Sequence, residues 1–112
     1  MATVEKTIWL SYDLGIDGDY ENLYAWLDQL KARECGDNLA VIKYKIESES
    51  DISSMILDDL KSLVTLRTKD RIYIIYRDKG KVKGKFITGK RKPPPWEGYA
   101  IVYFEEIEEV DE

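Results

Sequence analysis

Apolar positions along the chain change their period from stretch to stretch, and each change marks an element. Residues 7–14, with Ile8, Trp9, Leu10, Tyr12 and Leu14, form a continuous run of β-forming residues too short for a helix. Such a run predicts a central strand covered on both faces, with Trp9 in the core. The GIDGD stretch breaks it, and Asp19 stands where an N-cap would accept the free N–H groups of a following helix. Tyr20, Leu23, Leu27 and Leu30 then recur at helical spacing, joined by Tyr24 and Trp26, with Glu21, Asp28, Gln29 and Lys31 opposite them. ARECGDN has room for a short edge strand and a turn at Gly36-Asp37-Asn38. In LAVIKYKI, Ile42, Tyr44 and Ile46 alternate with Lys43 and Lys45, which predicts a strand with one wet face.

A second amphipathic helix is predicted next, capped by Ser50 or Asp51 and carrying Ile52, Met55, Ile56, Leu60 and Leu63 on one side. RIYIIYR is a second strongly apolar strand, and DKGK supplies a tight turn into KVKGKFITG, so a hairpin is expected. Three prolines at 93–95 predict a stiff extended link, and YAIVYFE at 99–105 reads as a last strand. The order predicts an α+β fold: a ferredoxin-like βαββαβ sandwich with both helices on one face of an antiparallel sheet and an added C-terminal hairpin and strand. Residues 1–104 are expected to form a single domain, and 105–112 a disordered acidic tail.

Composition narrows the chemistry. Apolar residues make up 44% of the chain and charged residues 35%, a globular balance, and no stretch is apolar enough for a membrane span. The N-terminal residues lack the features of a secretory signal, so a cytoplasmic protein is expected. Cys35 is the single cysteine, which rules out an internal disulfide and, without an activating base nearby in sequence, is expected to be inert. With no histidine, zinc sites and histidine-based triads are excluded, and a metal would have to be held by carboxylates, favouring magnesium, manganese or calcium.

The net charge of −5 is unevenly spread. The last eight residues, EEIEEVDE, hold six acids, whereas Lys79–Lys92 holds seven bases and no acid. Lys79, Lys81, Lys83 and Lys85 alternate, which would place four ammonium groups on one face of a strand. With Lys90, Arg91, Lys92 and the aromatic Trp96 they form a candidate nucleic-acid-binding segment, neutralising phosphates while an aromatic ring stacks on a base. A solvated hairpin whose lysines guard a sheet edge would have the same pattern.

Asp13 is the remaining singular residue, a carboxylate at the end of an apolar strand, with Asp17 and Asp19 behind it as turn and cap residues. SYDLGIDGDYENLYAWLDQL, a first strand ending in Tyr-Asp-Leu and followed by a polar turn and a helix beginning near Asp-Tyr, resembles the CRISPR-associated protein 2 family and its relatives, the virulence-associated protein D ribonucleases. The resemblance covers residues 7–78. It implies a homodimer in which Asp13 lies near the two-fold axis and, with magnesium or manganese, cleaves phosphodiester bonds of RNA or DNA. As read from the residues alone, Asp13 is a strand-end acceptor of backbone N–H groups in the next turn. The competing functional expectation is a non-catalytic interaction module, such as an antitoxin, immunity protein or inhibitor, that binds a protein partner through its acidic tail.

Overall fold

The computed structural model describes residues 3–47 and 51–100. Among these, five strands form one antiparallel sheet with two helices, an α+β arrangement. The elements run β1 (Thr3–Asp13), α1 (Tyr20–Gln29), β2 (Arg33–Gly36), β3 (Leu39–Glu47), α2 (Ile52–Lys61), β4 (Arg71–Asp78) and β5 (Lys81–Thr88). The spatial order is β2-β3-β1-β4-β5, so β1 and β4 lie side by side inside the sheet, and β5 takes an edge.

Burial alternates strictly along the inner strands. Ile8 and Leu10 of β1, Ile42, Tyr44 and Ile46 of β3, and Ile72, Ile74 and Tyr76 of β4 are buried, and they share a face with the buried stripes of α1 (Leu23, Trp26, Leu27) and α2 (Ile52, Ile56, Leu60). Both helices therefore cover the same face of the sheet. Each fully buried Leu or Ile contributes roughly 1.5–3 kcal/mol, so this layer supplies most of the stability. The expectation that residues 7–14 are covered on both faces is corrected: Thr7, Trp9 and Ser11 are exposed beside buried Ile8 and Leu10, because no helix or strand among the described residues packs on the second face. Trp9 is accordingly not a core residue, whereas Trp26 is.

Polar contacts fix the sheet end where β1 finishes. Asp19 caps α1 by accepting from Asn22 N (3.3 Å) and also accepts from Thr65 N (2.8 Å), tying the helix start to the segment before β4. Asp70 is fully buried and accepts from Arg67 N at 2.7 Å and from the Arg67 guanidinium at 2.9 Å, which in turn donates to the Leu14 carbonyl. The residue after this latch is Arg71, and the register sets it directly opposite Asp13.

The hairpin predicted at DKGK is present, with Lys79 at φ 53° and Gly80 at φ 79° in its turn. The last predicted strand is corrected at its start, since Tyr99 and Ala100 have helical backbone. Residues 101–105 of that segment and the acidic tail at 105–112 lie outside the described residues.

Candidate nucleic-acid interface

The uncovered face of the sheet carries the odd-numbered residues of β1, β3 and β4, and at the end where β1 stops they build a cleft. Asp13 and Arg71 pair across β1 and β4; one row away, Ser11 lies opposite Tyr73, and Tyr73 opposite Phe86 of β5. These side chains and Arg91 line a shallow cleft of about 380 Å³. A neighbouring hollow of about 340 Å³ shares Arg71 and Arg91 and is closed by Lys92, Pro93, Pro94, Pro95 and Trp96. The proline run thus returns the basic end of the hairpin segment to the sheet.

Small residues make this approach feasible. A Cβ on Gly84 would stand 2.2 Å from the Tyr73 hydroxyl, so the glycine lets the Tyr73 ring lie across β5, edge-on to Phe86 with centroids 4.8 Å apart. Gly89 adopts φ 81°, and a Cβ there would meet the Asp70 carbonyl at 2.5 Å. Glycine tolerates that backbone geometry and leaves room for the close pass. Beyond it, the Arg91 guanidinium sits 5.7 Å from the centroid of the Phe86 ring, within cation–π range.

Asp13 is engaged on both oxygens: Oδ2 accepts from the Arg71 guanidinium at 3.2 Å, and Oδ1 from Gly15 N at 3.3 Å. The Arg71 hydrogen bond, followed by that of Gly15, holds its carboxyl below the ordinary carboxylate value despite partial desolvation. The strand-end acceptor role is therefore observed. Among the described residues no three carboxylate or thiol groups converge, and a cation at Asp13 would face the Arg71 guanidinium.

The sequence-derived basic residues divide. Arg91, Lys92 and Trp96 join the cleft, and Lys90 is exposed beside them. Lys81, Lys83 and Lys85 pair with Asp78, Tyr76 and Ile74, which puts them on the helix side of the edge strand, away from the cleft. Lys79 is in the turn and not on the strand face, which corrects the expected row of four. Lys83 is held by Asp78 at 3.0 Å, an ion pair that raises the lysine pKa and lowers that of the acid. The sequence reading missed Arg71, Tyr73 and Phe86. The signal for Arg71 and Tyr73 was the alternation within RIYIIYR, in which Arg71, Tyr73, Ile75 and Arg77 share a face. Cys35 is exposed, and Tyr44, which donates to Asp59 at 3.1 Å, is a core group pushed up to about 12 by burial and that acid. Comparisons with protein-family models, curated proteins and solved structures give no match for this chain.

Proposed function

We propose that this protein binds nucleic acid on the uncovered face of its sheet, with a phosphate held by Arg71, Arg91 and Lys92 and neighbouring bases or sugars against Tyr73, Phe86 and Trp96. The observation that carries the reading is the convergence of three cations and three aromatic rings about two adjoining hollows. Guanidinium groups present a planar donor fork suited to phosphate oxygens, and aromatic faces stack on bases of any sequence. The binding scaffold is a ferredoxin-like sandwich, a reading supported by the antiparallel order β2-β3-β1-β4 and by the shared helix face.

In this reading Asp13 competes with phosphate for Arg71 and catalyses nothing within a single chain. The test is titration of a labelled oligonucleotide across a range of salt. Arg71→Gln and Arg91→Gln should each weaken binding to all sequences alike and lower the salt slope by roughly one. Asp13→Asn should strengthen binding by releasing the guanidinium. Absence of binding by the wild-type protein at low salt, or loss of binding and of magnesium-dependent cleavage in Asp13→Asn, would overturn the proposal. The first result would favour the interaction module, the second the metal-dependent nuclease.

A further inference from the structure

The cleft occupies one end of the uncovered face, and the rest of that face is unusual for a free surface. In the next row, Trp9 of β1 lies between Val41 of β3 and Ile75 of β4. Trp9 is 42% exposed and Ile75 38%, although both belong to inner strands, and Val82 of β5, one row further, is 68% exposed. Trp9, Ile75 and Val82 line a hollow of about 420 Å³ with Arg77, Lys6 and Glu5. An antiparallel sheet with one wet face ordinarily places polar residues there, so an exposed tryptophan beside an exposed isoleucine calls for a ligand.

We propose that this row continues the cleft into a stacking track for single-stranded nucleic acid, with Trp9 as a second base platform and Ile75 and Val82 supporting the adjoining sugar or base. The assignment rests on the nucleic-acid reading of the cleft and names its substrate class. Geometry supports it first. Trp9 is directly opposite Ile75, and Tyr73 is two residues from Ile75 on the same face, so Trp9 and Tyr73 are diagonal neighbours about 7–8 Å apart, within reach for large rings. The track therefore runs from Arg71 and Arg91 over Tyr73 to Trp9 without leaving the face.

Charge supplies the second support. Arg33, opposite Val41, extends the Trp9 row on one side, and Lys43 and Arg77 flank it in the next, while Arg71 and Arg91 stand at the cleft end. Against these, Asp13 is already paired with Arg71, and Glu5 lies opposite Lys45. A polyanion suits such a surface. A second copy of the chain does not, because a two-fold contact sets the same patch against itself and would oppose like charges.

Strandedness follows from the apolar groups. Bases in a duplex hide their faces in the stack and leave a rigid phosphate surface, whereas single strands offer unstacked faces to aromatic side chains. Trp9, Ile75 and Val82 gain contact area only from the second.

Fluorescence anisotropy with labelled oligothymidine of about twelve residues, and with a duplex of the same length, tests the proposal. The single strand should bind tighter. Trp9→Ala should weaken single-strand binding by roughly 5- to 150-fold, the loss of one stacked base, and leave duplex binding unchanged; Trp9→Phe should retain most of the affinity, which excludes unfolding as the cause. Wild-type protein that binds while Trp9→Ala is silent, or that loses both ligands equally, would overturn the track and leave the cleft reading intact. Failure of the wild-type protein to bind either ligand would overturn the cleft reading itself. Sedimentation showing a wild-type dimer that Trp9→Ala dissociates would assign the row to a second copy and also overturn the track.

Discussion

Ile74 and Ile75 are consecutive residues of the same strand, one fully buried and the other 38% exposed, and they represent two faces that do different work. The covered face is a continuous layer of Ile, Leu and Tyr beneath two helices. The other carries aromatic, aliphatic and cationic groups with no helix or strand among the described residues packed on it. Apolar residues on the first face are explained by folding. On the second they are not, and that surplus, together with the Arg71–Arg91 cleft, is what points to a ligand.

The contrast can be broken most directly by paired truncations. Ile74→Ala should cost about 2–5 kcal/mol, the range for deleting a buried Ile or Leu side chain, whereas Ile75→Ala should change stability by no more than about 0.5 kcal/mol, as surface substitutions do. Urea denaturation of both variants measures the difference, and equal losses would mean that the uncovered face is packed in solution. Next in size is the latch before β4. Asp70→Ala removes the buried acceptor of the Arg67 N–H and guanidinium and should cost roughly 1–3 kcal/mol, seen as a lower melting temperature; it should also weaken ligand binding by releasing the loop that sets Arg71 beside Asp13.

A smaller change would sharpen the assignment of the cleft. Gly84→Ala inserts a methyl group where the Tyr73 ring lies, and because that ring is only partly buried at the sheet surface it should move at a cost of less than about 1 kcal/mol. Oligonucleotide affinity should fall while the melting temperature barely changes. The smallest effect is electrostatic. Asp13 has its folded pKa below the ordinary carboxylate value of 3.8 because of Arg71, so its contribution to stability is present above that value and lost as pH falls through the lower, folded one. Denaturation followed between about pH 5 and pH 3 should show Asp13→Asn losing less stability than wild type, by a modest amount because the carboxylate is half-exposed and solvent-screened.

Periodicity made most of the fold legible. The helical spacing of Leu23 and Leu27, the cap at Asp19 and the alternation in LAVIKYKI each translate into the observed element, and Asp13 is a strand-end acceptor as its position suggested. Residues 7–14 misled because Trp9 is as apolar as a core strand requires, and hydrophobicity alone does not distinguish a residue buried by the fold from one left exposed on its surface. The candidate site was only half legible. Arg91, Lys92 and Trp96 stood out as a charged and aromatic stretch, but their partners Arg71 and Tyr73 are some twenty residues away in sequence and meet them, with Phe86, only through the β4–β5 register and the close pass at Gly89.

The two faces carry their own reporters in two indoles. Trp26 Nε1 donates to Asp59 at 3.0 Å beneath the helices, and Trp9 is exposed on the other side of the sheet. The most direct measurement is a proton–nitrogen correlation spectrum recorded while a short oligothymidine is added. The Trp9 indole and the amides of Arg71, Tyr73, Ile75 and Phe86 should shift progressively while the Trp26 indole stays in place. Shifts confined to Lys81, Lys83, Lys85 and the start of α2, with Trp9 unmoved, would show that the ligand uses the helix side of the edge strand and would contradict the account.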